Sequence, residues 1–176
     1  MSARVAEPGG EGASAEQIAL IEKVKAKRGR LLMPYRIWLH SAGVGHAMED
    51  LGTFLNTGST LSAAERELVT LATVAQNRSA FATANHSRHA RAAGLSEAVC
   101  ESLREGRPAV LDDARLQAVA DLTRAALGGA TLSDVEFDCC CAALGREGIA
   151  EVLALVGYYT AVACALRLHD VQPPPT

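Results

Sequence analysis

The chain has 176 residues, enough for one domain whose core needs no metal or disulfide staple. Hydrophobic residues make up 49% of it, Ala, Leu and Val prominent among them, which favours packed helices over strands. With 20 acidic against 17 basic residues the net charge is -3; there is no broad cationic field to displace counterions, which excludes nucleic acid as a partner.

Residues 1–13 hold Pro8, Gly9, Gly10 and Gly12 among scattered charges and lack the apolar stretch of a signal peptide. They read as a disordered arm on a cytoplasmic protein, ahead of a single helical domain over residues 14–171 and a disordered tail over 172–176. Ser14 with Gln17 predicts a capping box, and Ile18, Ile21 and Val24 give the first helical stripe, which Arg28-Gly29-Arg30 ends. Pro34 starts a short helix over Tyr35–His40, its missing N–H costing nothing in the first turn. Ser41 caps a third, with Val44, Met48, Leu51 and Leu55 on one face and Gly58 in the turn that follows.

Ser62 and Glu65 form a second capping box ahead of Leu68, Leu71, Ala72 and Ala75. Asn77 marks a bend, and the next helix runs from Arg78 to Ala93, closed by Gly94. Ser96 starts a short helix ending near Gly106, and Asp112 opens one that runs to Leu127. Ser133 and Glu136 box another, stopped by Gly145, and a long apolar helix covers Gly148–His169. Its apolar core, Val152–Leu166, is shorter than the roughly 18–20 residues of a membrane span, so it predicts a core helix or a subunit interface rather than a membrane partner. No period-2 alternation occurs, so the expected fold is all-α, an orthogonal bundle of about eight helices.

Five cysteines without an export signal read as reduced, structural thiols. Cys139, Cys140 and Cys141 are consecutive and point about 100° apart on a helix, so they cannot converge on one metal. The stretch that carries chemistry is Glu67–Gly94. Ser79, Ala82 and His86 are spaced at i, i+3 and i+7 for one helix face, and His89 extends it by a turn. Glu67 lies on the preceding helix, which a bend near Asn77 folds alongside. A carboxylate facing an imidazole orients the ring and stabilises its protonated form, which makes an acid–base unit.

This stretch resembles the carboxymuconolactone decarboxylase family, which includes the alkylhydroperoxidase D-like proteins. In the redox branch a Glu precedes a C-x-x-C-x-x-x-H motif by twelve residues; here that Glu is Glu67, the cysteine positions are Ser79 and Ala82, and the histidine is His86. The resemblance is therefore to the cysteine-free branch, and dithiol peroxidase chemistry is excluded. Arg30–Ser41 is similar to that branch's G-P-[FY]-R-[VI]-W-L-H-S run, and Leu155–Ala163 to its last helix. Arg78, Phe81 and His86 match the branch's R-x-Q-[YF]-E-W-x-x-H pattern, whereas Ala80, Ala82 and Thr83 replace Gln, Glu and Trp, emptying and depolarising one wall of the pocket.

The resemblance implies an alkylhydroperoxidase D-like fold, a homotrimer or homohexamer, and no cofactor or metal. It implies an acid–base enzyme acting on a small carbonyl or lactone compound as a decarboxylase, isomerase or cyclase-type lyase. The expected catalytic pair is His86 with Glu67. Arg36 or Arg78 would hold an anionic group, Phe81, Trp38 and Ala82 would supply an apolar wall, and His40, Ser79 and His89 would complete the substrate site. Ser79 stands too far from His86 on their shared helix to be its nucleophile. The alternative is a non-catalytic binding or scaffold protein that kept the fold after losing the redox cysteines.

Overall fold

Ser14 caps α1 (Ala15–Arg28): its hydroxyl accepts from the Gln17 N–H, the Gln17 side-chain oxygen accepts from the Ser14 N–H, and Gly29 ends the helix in the left-handed conformation. The computed structural model describes residues 4–5 and 12–174, so most of the expected N-terminal arm, and residues 175–176 of the tail, lie outside the described residues. The described part of the arm is tied down. The Arg4 N–H donates to the His169 carbonyl at 2.8 Å and Val5 packs on the core. Among the described residues there are eight helices and no strand.

Pro34 lies in the first turn of α2 (Met33–Trp38), which begins two residues before the predicted start and stops short of His40. Ser41 precedes α3 (Ala42–Thr57) as expected, but its side chain makes no capping bond. The buried face of α3 also differs from the predicted one: it is Gly45, Glu49, Gly52 and Leu55, while Val44, Leu51 and Phe54 are exposed. The reason is close approach and charge. Gly45 lies against Leu20 of α1, and a Cβ at Gly52 would meet Tyr158 Cζ at 2.7 Å. Glu49, fully buried, is neutralised by Lys27 at 3.1 Å and Lys23 at 3.4 Å and accepts a 2.6 Å hydrogen bond from Thr53.

The Ser62–Glu65 capping box opens α4 (Ala63–Gln76), the central helix, which packs against all the later ones. Its Leu68, Val69, Leu71 and Val74 are fully buried, each contributing about 1.5–3 kcal/mol. Asn77, Arg78 and Ser79 link it to α5 (Ala80–Ala92), and Arg78 takes a left-handed φ of 56° that turns the chain back. Gly94, at φ 96°, ends that arm. Ser96 caps α6 (Glu97–Arg104). Asp113, rather than Asp112, caps α7 (Ala114–Gly128) by accepting from the Leu116 N–H at 2.8 Å.

The last helix, α8 (Asp134–Leu168), starts at the Ser133–Glu136 box and is interrupted at Gly145 (φ 69°, ψ 168°), where the pattern predicts a stop. Beyond it, Val152, Leu155, Val162 and Leu166 run through the core. The continuous run is longer than its apolar centre, and by length and composition one window could cross a membrane; half of that window is buried among the other helices. Tyr158 and Tyr159, within the stretch predicted to be a core helix or a subunit interface, point inward and are buried, the Tyr158 hydroxyl lying 3.2 Å from that of Tyr35. Glu151 on the same helix accepts from the backbone N–H and hydroxyl of Thr60, which pins the α3–α4 turn to α8.

Candidate functional site

The turn at Arg78 lays α5 beside α4 and sets His86 opposite Glu67. His86 Nδ1 lies 2.8 Å from Glu67 Oε2. An ionised carboxylate only accepts, so Nδ1 carries the hydrogen and Nε2 is the nitrogen available to a substrate. The imidazole is held edge-to-face between two rings, Tyr159 at 5.0 Å and His89 at 5.3 Å. The other Glu67 oxygen, Oε1, lies 3.9 Å from His89 Nδ1. His86 and Glu67 are mostly buried, whereas the His89 side chain is 58% exposed.

The three residues line an open cavity of about 1050 Å³ whose wall comes mainly from α1, α2, α5 and α8. Of the other residues expected at a site, Arg36, Phe81 and Ala82 line it too. Four do not. Trp38 is buried core, packed at 5.4 Å on Tyr35 and 6.3 Å on Tyr158. His40 is exposed beyond the end of α2. Arg78 lies on a separate surface groove with Ala80 and Thr83, so of the three family substitutions only Ala82 reaches the cavity wall. Ser79 is the residue before the first turn of α5, outside the helical phase that the i, i+3, i+7 spacing assumes; it is buried, and its Oγ has no hydrogen-bond partner.

The fold also brings in residues that spacing could not reveal. Tyr158 and Tyr159 come from α8, Arg28 from α1, Asn56 from α3 and Arg88 from α5. Burial, helped by the Glu67 charge, pushes the Tyr159 phenol up to about 12, with hydrogen bonds involving Asn56 and Thr70 opposing. Burial raises Tyr158 and Tyr35 as well. All three phenols therefore stay protonated near neutrality and can donate hydrogen bonds. The cavity wall carries Lys25, Arg28, Arg30, Arg36 and Arg88 against Glu22 and Glu67, an excess of cations that favours an anionic guest.

Glu67, His86 and His89 each offer one ligand atom, all within 4.8 Å of one another. The two histidines stand on α5, and the third donor comes from the neighbouring helix, α4. None of the five cysteines lines the cavity: Cys100 and Cys140 are buried, Cys139 is exposed, and Cys141 and Cys164 are partly buried.

Residues 42–128, from the start of α3 to the end of α7, match the Carboxymuconolactone decarboxylase family. An uncharacterised peroxidase-related protein from Silicibacter sp. TM1040 superposes with a TM-score of 0.76 over 98% of this chain and 92% of its own, at 17% identity. A protein of unknown function from Agrobacterium tumefaciens, suggested to be the antioxidant defence protein AhpD, gives 0.67 over 79% and 96%, at 18% identity. The debrominase Bmp8 in complex with 2,3,4-tribromopyrrole gives 0.72 over 99% and 93%, at 12% identity. No curated protein matches the sequence. The fold is AhpD-like, and the family match supports a carboxymuconolactone decarboxylase domain. The cysteine-free label does not describe the whole chain, which has five cysteines; it holds only at Ser79 and Ala82.

Proposed function

We propose that this carboxymuconolactone decarboxylase-like chain is an acid–base enzyme that moves a proton at carbon in a small, anionic carbonyl or lactone compound, as a decarboxylase, isomerase or cyclase-type lyase without a cofactor. The observation that carries this reading is the 2.8 Å pair of His86 Nδ1 and Glu67 Oε2 at the wall of a 1050 Å³ cavity. In an isomerisation, Nε2 takes the proton from the carbon beside the carbonyl, and the C–H electron pair moves onto the carbonyl oxygen. Arg36 and a neighbouring phenol stabilise that oxyanion, and the imidazolium returns the proton to another carbon. In a decarboxylation His86 first takes a proton from solvent at Nε2; the C–C pair then flows into the same carbonyl as carbon dioxide departs, and the imidazolium protonates the carbon left behind. Glu67 stabilises the imidazolium in both.

A scaffold that had lost its chemistry would have side chains in this space, and an open cavity beside a paired His and Glu favours the enzyme. Self-association as a homotrimer or homohexamer is part of the same reading, through the exposed apolar face of α3 rather than the inward-facing tyrosines of α8. The test is turnover of γ-lactone carboxylates and related oxo acids in deuterated water. The wild type should place deuterium at carbon, His86→Ala should lose about 10²–10⁴ in rate, and Glu67→Gln less. Unchanged turnover by His86→Ala would sink the proposal.

A further inference from the structure

The Glu67 carboxylate faces two imidazoles at once, one oxygen 2.8 Å from His86 Nδ1 and the other 3.9 Å from His89 Nδ1. The histidines sit one turn apart on α5 and the carboxylate projects from α4, so all three donors stand on helices rather than loops. A divalent ion bound tetrahedrally at about 2.0–2.2 Å from each donor sets neighbouring donors about 3.3 Å apart. One ligand atom from each residue lies within 4.8 Å of the other two, so closing to that spacing takes a small shift, which falls on His89, the exposed member of the three. Two imidazoles and one carboxylate suit first-row transition ions, and three protein ligands leave a coordination position open. All three residues line the cavity, which is large enough for a further ligand and rich in cations, and those cations would keep a bound ion exchangeable.

We infer that Glu67, His86 and His89 form a binding site for a divalent first-row transition ion, and that its occupancy switches off proton transfer at His86. Ligation takes the Nδ1 lone pair, so the single ring hydrogen of a neutral His86 must move to Nε2, and no lone pair then faces the substrate. Glu67 at the same time exchanges its hydrogen bond for the ion. The binding half stands on geometry alone; the switching half rests on the proton-transfer reading.

The test uses Zn²⁺ as the probe, by isothermal titration calorimetry, in a Cys139→Ser/Cys141→Ser/Cys164→Ser background that removes the thiols that are not buried. One ion per chain should bind with a Kd in the micromolar range or tighter, and His89→Ala and Glu67→Gln should each weaken it at least about tenfold. Co²⁺ should give visible d–d bands without the near-ultraviolet charge-transfer band of a thiolate. His89 is exposed, so its variant should fold, which a circular dichroism melt checks; Glu67→Gln keeps the shape of the side chain and serves as the second variant. Absence of saturable binding, an affinity unchanged from the parent in either variant, or a thiolate band would overturn the site. Bound Zn²⁺ that leaves turnover unchanged would overturn the switch. If His86→Ala left turnover intact while Zn²⁺ bound as expected, the proton-transfer reading would fall and the metal site would stand.

Discussion

Gly52→Ala places a methyl group where α3 passes under Tyr158. The new Cβ would lie 2.7 Å from Tyr158 Cζ and closer still to its hydroxyl, inside the shortest contact real side chains make. Tyr158 cannot swing aside freely, because it is buried, stacks edge-to-face on Tyr159 at 5.1 Å and pairs with the Tyr35 hydroxyl. Overpacking a filled core costs about 1–3 kcal/mol. Disturbing the Tyr35–Tyr158 hydrogen bond adds about 1 kcal/mol, and the better helix propensity of Ala returns about 1 kcal/mol. The net loss is about 1–3 kcal/mol, and for a chain of this size a loss of about 2 kcal/mol lowers Tm by roughly 4–8 °C. Thermal melts at one fixed protein concentration measure it. Gly43→Ala, in the same helix with nothing within 4 Å, is the control and should be neutral or stabilising. A Gly52→Ala melt at or above the wild-type Tm would refute the close-packing argument.

The remaining expectations are each read by one measurement. Burial raises the Glu49 carboxyl, but hydrogen bonds from Thr53 and Lys27 outweigh it and hold its pKa below the ordinary 4.5. Its stabilisation is therefore present above about pH 4.5 and lost as pH falls through the depressed native value. Glu49→Gln should cost about 2–3 kcal/mol at pH 7, less than a fully buried pair because both lysines reach water, and urea melts should show the gap closing at low pH. Replacing Cys139 by Ser should leave activity and Tm unchanged, whereas Cys100→Ala should lower Tm without altering turnover; a thiol-dependent hydroperoxide turnover lost with either would refute the assignment of structural roles. Sedimentation at micromolar concentration should give a trimer or hexamer, and Leu51→Lys on the exposed α3 face should lower the mass; a wild-type monomer refutes self-association.

The signals that proved legible were the ones whose physics is local. Ser14 with Gln17, Ser62 with Glu65 and Ser133 with Glu136 satisfy backbone donors within a single turn, and each marks a helix start as predicted. Gly29, Gly94 and Gly145 mark ends and a break for the same reason, a positive φ that glycine adopts without strain. The buried face of α3 was illegible because polarity patterns place a glutamate outside, while Glu49 is inside with its counter-ions on another helix. At the site, Glu67 and His86 could be paired because they sit on consecutive helices joined by a bend. Tyr159 and Arg28 could not, since α8 and α1 are far away in sequence and nothing local shows that they share a wall. Ser79 misled because a regular spacing was extended one residue past the helix start, where the phase no longer applies.

The link Asn77–Ser79 acts as the phase-setting tooth between two gears. Its three non-helical residues are too few to absorb an insertion without moving a helix, so one residue inserted after Asn77 would shift α5 against α4. The α5 imidazoles would be displaced from the α4 carboxylate even though every side chain of the site was still present. The same insertion between Glu105 and Asp113, where α6 hands over to α7, would leave that alignment alone. The left-handed Arg78 could be exchanged for glycine or asparagine, which adopt that conformation more readily, without altering the count. In this linker it is the number of residues, more than their identity, that descendants of the chain are obliged to keep.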